Sequence, residues 1–390
     1  MALDKVTTKV IADDAVTGAK IENNPTVAGN LTVTGDVIPS TPLSHRNMVI
    51  NGAMNVAQRA SSGTGVGYTC ADRFQRVADN NAGVTTSRVS EAPVGFENSY
   101  KVTITTADTS ITSTQYEFHE QQIEGNNIYH LEWGTSDAKT VTLSFYVKSS
   151  LAGVFGGSIR NSANNRAYSF EYTINSAATW ERKTITIAGD TTGTWLKSNL
   201  AGLKIEWALG SGSSFHGSAG WSAGHFLTKD VARSNDSADA LLATVNATWQ
   251  ITGVQLELGS NATPYEHKSY GDELRSCQRY YFKITNETGG ENSFGIGVMD
   301  GTTACQWYTN FPVTMRIAPT AIETSGTAGD YSLRTTHTVT CSGVPAHYHC
   351  TKQSAAGSAG VSSGTHFITK GAAVLRAVDN DAYLAWSAEL

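Results

Sequence analysis

Trp249–Gly259, WQITGVQLELG, decides the class of this chain. Read with a period of two, Gln250, Thr252, Val254, Leu256 and Leu258 share one face, while Trp249, Ile251, Gln255 and Glu257 share the other. Alternation sustained over about nine residues predicts a β-strand with two differently occupied sides. The strand closes at once on GSNATPYE (259–266), where Gly259, Ser260, Asn261 and Pro264 make a turn-and-exit signal. It therefore reads as the last strand of a domain.

The same pattern recurs upstream in SYKVTITT (99–106), KTVTLSFYVKSS (139–150), RAYSFEYTI (166–174), RKTITIAG (182–189) and GLKIEWALGS (202–211). Short strands separated by Gly-, Asn- and Ser-rich connections are the pattern of a β-sandwich. The expected fold class is all-β, with a jelly-roll sandwich over 46–268. Downstream, SYGDELRSCQRYY (269–281) starts a helix: Ser269 and Asp272 stand at capping-box spacing, with acids early and Arg275 and Arg279 late. Residues 269–279 are read as a short helical spacer, of hinge or linker character. Strand-like segments then return over 280–390, predicting a smaller C-terminal β-sandwich as the distal module. A chain of 390 residues is long enough for such a division.

Residues 1–45 contain no aromatic residue and only isolated apolar ones, among them Val16, Ile21, Leu31 and Val33. Such a segment buries too little apolar surface to offset its own ordering entropy. It is expected to order only by pairing with other copies of the chain or by docking on a larger body.

The net charge is −6, and the 28 Lys and Arg residues form no dense cluster, which argues against nucleic acid or an anionic membrane as partner. No apolar run approaches the ~18 residues of a membrane-spanning helix. The N-terminus, MALDKVTTKV, does not read as a signal peptide. Five scattered cysteines suggest buried free thiols and synthesis in a reducing cytoplasm.

Three stretches carry possible chemistry. YEFHEQQIEG (116–125) offers Glu117, Glu120 and Glu124 beside His119, but in a strand Glu117 and His119 fall on one face and Glu120 on the other. That spacing does not define the acid/base pair of a glycosidase, so the chain is read as non-enzymatic. SGSSFHGSAGWSAGHF (211–226) sets Phe215, His216, Trp221 and His225 in a Gly/Ser loop. Large aromatics in that setting either pack back on the sandwich or contact a ligand such as a glycan. Trp180, Trp195, Trp207 and Trp249 lie in or beside strands and read as core. CSGVPAHYHC (341–350) places His347 and His349 on one side of an extended strand, a donor pair suited to a transition metal. A metal-free surface loop is the expectation there, and no cofactor is expected anywhere.

HRNMVINGAMNVAQR (45–59), the run 249–281, FPVTMRIAPT (311–320), the closing AEL (388–390) and the opening IADDAVTGAKI (11–21) together resemble structural fibre proteins of tailed bacteriophages, notably those of marine phages that infect cyanobacteria. IEGNNIYHLEW (123–133), KTVTLSFYVKS (139–149) and ATWERKTITI (178–187) resemble carbohydrate-binding-module sandwiches. The resemblance implies a homotrimeric tail fibre or receptor-binding protein, assembled in the host cytoplasm and located in the virion. The N-terminal segment would join other tail or virion proteins, and the β-domains would meet host surface polysaccharide. Trimerisation also answers the physical problem of a segment that cannot fold alone. A non-adhesive adaptor or capsid decoration protein is the alternative, and a glycan-degrading spike a more remote one.

Overall fold

The computed structural model describes residues 44–217, 220–224, 228–229, 241–286 and 292–390. The proposed anchoring residues Val16, Ile21, Leu31 and Val33 lie outside them, as does His225. The described residues belong to the second of two compact units, Thr41–Leu390. Among them no helix is long and apolar enough to cross a membrane.

The first sandwich is built from β1 (Gln75–Asp79), β2 (Gly83–Val89), β3 (Ser99–Thr106), β4 (Tyr116–Glu124), β5 (Val141–Ser149), β6 (Gly153–Arg160), β7 (Ala167–Ile174), β8 (Glu181–Ile187), β9 (Ala201–Ser211) and β10 (Thr248–Leu258). One sheet runs Ser62–Gly63, β2, β3, β10, β5, β8, and the facing sheet runs Gly220–Ser222, β7, β6, β9, β4, β1, Gly67–Tyr68. The long strands pair antiparallel. Apart from the hairpins β2–β3 and β6–β7, the long strands have neighbours distant in sequence, as in a jelly roll. Inward residues such as Phe145, Trp207, Trp249 and Tyr100 fill the space between the sheets.

β10 departs from simple alternation. Trp249 and Ile251 face the core, but so do Val254 and Leu256, two positions that strict alternation puts on opposite sides. The register against β5 slips by one residue between Thr252 and Gln255. That is a β-bulge, and it falls at Gly253, whose φ of +61° suits glycine. The bulge turns both apolar pairs inward. Gln255 and Glu257 are left together on the other side, where Gln255 donates to Glu257 at 2.8 Å. The abrupt exit then makes sense, because Thr263 returns to donate its backbone N–H at 2.8 Å and its hydroxyl at 2.6 Å to the Glu257 carboxylate.

The segment opening at His45 runs beside this strand. Asn47 Nδ2 donates to Val254 O, its Oδ1 accepts from Leu256 N, and Met48 N donates to Leu256 O. Two stretches about 200 residues apart in sequence are thus one structural feature.

Helix α1 (Tyr270–Gln278) starts as expected, with Ser269 Oγ accepting from Asp272 N. The second sandwich comprises β11 (Tyr281–Thr285), β12 (Ser293–Met299), β13 (Ala304–Asn310), β14 (Tyr331–Arg334), β15 (Ala346–Cys350), β16 (Ser354–Gly360), β17 (Ala372–Ala377) and β18 (Tyr383–Ser387). One sheet runs β11, β18, Glu323–Thr324, and the other runs Thr338–Thr340, β14, β17, β12, β13, β16, β15. Its own core centres on Trp307, Trp386, Met299 and Leu375. All five cysteines are buried free thiols.

The join between the two cores is filled. Cys277 and Tyr280 are fully buried, and Glu273 accepts from Asn51 N. The Arg73 guanidinium lies 3.6 Å over the Tyr280 ring, and Arg59 lies 3.6 Å over Tyr281. Both arginines pair with Glu389. Arg279 forks onto Glu124 at 2.6 and 2.9 Å. Arg316 bridges Asn199 O and Ala388 O. Planar cations stacked on rings and anchored on carboxylates bind through both dispersion and charge.

Candidate functional site

The aromatic loop supplies scaffold contacts. Phe215 stands edge-on to Tyr116 at 5.1 Å and packs beside Phe118 and Ala208 on the outer face of the second sheet. His216 Nε2 lies 3.1 Å from Ser211 O. Trp221 sits 5.2 Å from Trp133, 5.5 Å from Trp195 and 5.4 Å from Tyr168, and its indole N–H donates to Ala188 O at 2.7 Å. Its ring packs against the main core. Of the tryptophans read as core, Trp195, Trp207 and Trp249 are buried, whereas Trp180 is half-buried with Lys148 above its ring.

His347 and His349 do not share a face. β15 carries a bulge at Tyr348, so His347 pairs with Gly357 while His349 pairs with the adjacent residue, Ala356. Successive residues of a strand point opposite ways, so one imidazole turns toward Cys350, 3.8 Å away, and the other outward. The extended geometry that would aim both at one metal is broken by a single inserted residue.

The carboxylates of β4 divide between two sides, as the alternation requires. Inside, Glu117 takes a bidentate contact from Arg76 at 2.7 and 2.9 Å and lies 3.3 Å from His119, whose other nitrogen is 2.8 Å from Tyr100 OH. Burial pushes Glu117 up, but the contacts from His119 and Arg76 outweigh it and hold the carboxyl below its ordinary range. Burial keeps His119 below its ordinary range. On the outer face Glu120 and Glu206 stand opposite each other on β4 and β9, both gripped by Arg160. Burial and then the Glu206 charge raise Glu120 to about 7. The strand Thr228–Lys229 pairs parallel with His216–Gly217 and comes close to β6 and β7 without pairing to either. Glu120 and Glu206 are both buried, and Arg160 engages both carboxylates.

An open groove lies elsewhere, at the start of α1. Two adjoining hollows of about 330 and 450 Å³ share His45, Lys268 and Ser276. Asn126, Asn127 and His130 line the first, and Glu266, His267 and Asp272 the second. The near wall is two 3-10 turns after β4, Gly125–Asn127 and Tyr129–Leu131. Gly125 is required there, since a Cβ would stand 2.3 Å from Leu196 O. The far wall is fixed by Glu266, which accepts from Asn47 N at 2.9 Å, and by the Ser269 cap. Tyr129, 62% exposed, sits beside His130 with ring centroids 6.0 Å apart. Burial and the nearby Lys139 charge hold His130 below its ordinary range. Amides, imidazoles and an ammonium lining a hollow can exchange hydrogen bonds with hydroxyls, and the exposed Tyr129 ring beside His130 offers an apolar plane.

Neither Tyr129 nor Asn127 was singled out from sequence, although IEGNNIYHLEW was. The available signal was two polar, His-bearing turns, NNIYH and EHKS; their proximity follows only from the pairing of the Asn47 segment with β10.

No family model matches the chain, and no curated protein matches it. Solved structures similar to it are carbohydrate-binding jelly rolls and a phage tailspike domain. The enzymatically active domain of tailspike protein 4 of bacteriophage CBA120 aligns over 55% of this chain and 21% of its own length, at 12% identity and TM-score 0.29. TmCBM61 in complex with β-1,4-galactotriose aligns over 55% of this chain and 99% of its own, at 10% identity and TM-score 0.28. The family 11 carbohydrate-binding module from Clostridium thermocellum aligns over 50% and 91%, at 14% identity and TM-score 0.27. This chain spans about a fifth of the tailspike domain.

Proposed function

We propose that this protein is a structural subunit of a phage virion, a trimeric tail fibre or receptor-binding protein, and that its jelly roll attaches to host surface glycans through the groove at the start of α1. The observation that carries the glycan reading is that groove, lined by Asn126, Asn127, His130, Lys268 and Ser276, with the exposed Tyr129 ring next to His130. The resemblance of the HRN and WQITG stretches to phage fibre proteins supports the virion setting. The junction built on Glu389, Arg73 and Arg59 suits an attachment protein, because a stiff body transmits a contact at one end to the particle at the other. In this reading the protein does no chemistry, and Glu120 and Glu206 serve the scaffold.

Labelled protein is expected to bind host cells, and binding is expected to fall after mild periodate oxidation of surface sugars. Binding that survives periodate unchanged would refute glycan attachment.

A second reading, an adaptor that touches only virion proteins, is favoured by one observation. The outer face of the second sandwich shows Ile296 (70% exposed), Val298 (45%) and Tyr308 (55%) on the adjacent strands β12 and β13. Contiguous exposed apolar residues mark protein contact surfaces.

A further inference from the structure

We propose that the groove takes an acidic glycan, whose carboxylate or sulfate is held by Lys268; this rests on the glycan reading above and adds the charge of the ligand. The hollow between the 126–130 turns and α1 contains Lys268 and the imidazoles of His45 and His130, and no carboxylate lines it. The acids nearby are already engaged. Glu266 accepts backbone N–H groups from His45, Arg46 and Asn47. Glu124 is held by Arg279, Tyr280 and Asn126. Asp272 takes the Ser269 hydroxyl at 2.6 Å and Arg275 at 3.3 Å.

Lys268 makes no ion pair among the described residues, and it is half-buried. The Lys268 charge is felt by Glu266, but that carboxylate is taken up by backbone N–H groups and Lys268 donates to no carboxylate among the described residues, so its ammonium is left to favour a further anion. The neighbours suit the rest of a sugar. Asn127 makes no side-chain hydrogen bond among the described residues, so its amide can serve hydroxyls on both sides. His130, held below its ordinary range by burial and by Lys139, enters as a neutral imidazole near pH 7 and can both donate and accept. Lys268 supplies the hollow with a permanent positive charge. A neutral glycan would leave that ammonium partly desolvated without an anion, which gives the site a means of discrimination.

The test is calorimetric titration of the full chain with acidic trisaccharides (galacturonate, mannuronate and sulfated galactose), each against its neutral parent. Wild type, Lys268→Gln and Lys268→Arg are compared at low and at moderate salt. At least one acidic member should bind about tenfold or more tighter than its parent. That preference should weaken with salt, vanish in Lys268→Gln and persist in Lys268→Arg, while all three proteins unfold at the same temperature. Equal binding of acidic and neutral partners overturns the charge assignment and leaves the glycan reading standing. Preference that survives Lys268→Gln overturns the role of Lys268. Binding of no sugar in the panel overturns both.

Discussion

Gly253→Ala tests the feature that organises the first sandwich. Gly253 sits at the bulge of β10 with φ +61°, and a Cβ there would stand 2.7 Å from Cζ of Phe96 and 3.0 Å from Tyr146. Holding an L-residue in the left-handed region costs roughly 1–2 kcal/mol. Forcing a methyl against packed rings costs about 1–3 kcal/mol more. The reduced freedom of the unfolded chain returns only about 0.4–1 kcal/mol. The net expectation is a loss of about 2–4 kcal/mol, or roughly 5–10 °C in Tm for a unit of this size. Urea unfolding followed by tryptophan fluorescence reads it directly, since Trp207 and Trp249 are fully buried in that core. Gly95→Ala is the control, because Gly95 has φ +94° but nothing within 4 Å of a built Cβ. Gly253→Ala should exceed it by the cost of the ring contacts. A loss at Gly253 under about 0.5 kcal/mol, or one equal to that at Gly95, would refute the reasoning.

Trp221→Ala should lower stability by about 2–4 kcal/mol, through the lost Trp133, Trp195 and Tyr168 contacts, and leave cell adsorption of the folded protein unchanged; an unaltered melting curve with impaired adsorption would return Trp221 to the ligand surface. Glu389→Ala removes the partner of buried Arg73 and of Arg59, so a loss of about 3–5 kcal/mol and new protease cleavage between 259 and 280 are expected, whereas a midpoint within about 1 °C of wild type would show the junction to be held elsewhere. For Glu120 the folded pKa of about 7 lies above the ordinary 4.5. The stability linked to its protonation is therefore present below 4.5 and lost as pH rises through 7. Glu120→Gln should gain stability relative to wild type between pH 5 and pH 8, read by thermal melts, and a difference that is flat with pH would contradict the assignment.

Much of the fold was legible because its signals are local. Alternation at 99–106, 139–150 and 202–211 identifies β3, β5 and β9, and the Ser269–Asp272 spacing identifies the start of α1. The alternation also sorted Glu117 and His119 from Glu120 correctly. What escaped were single-residue insertions. The bulges at Gly253 and Tyr348 each reverse the faces of everything beyond them, and nothing in a period-two count reveals an extra residue. The fate of Trp221 depended on the positions of Trp133 and Trp195, tens of residues away in sequence, so composition alone favoured packing without excluding contact. The groove escaped for a similar reason. Its walls come from 45, 126–130 and 266–276, brought together by strand pairing that sequence spacing does not encode.

The most direct test of the central claim, that the groove holds a host glycan, is cell adsorption of the Asn127→Ala/Tyr129→Ala double variant. Both side chains are exposed and lie apart from the packed core, so the thermal midpoint should stay within about 2 °C of wild type. Loss of a ring contact and an amide is expected to weaken single-site binding by roughly 2–3 kcal/mol, about thirtyfold or more. Adsorption reduced at least tenfold with folding intact is the predicted result. Adsorption equal to wild type, with folding intact, would contradict the claim.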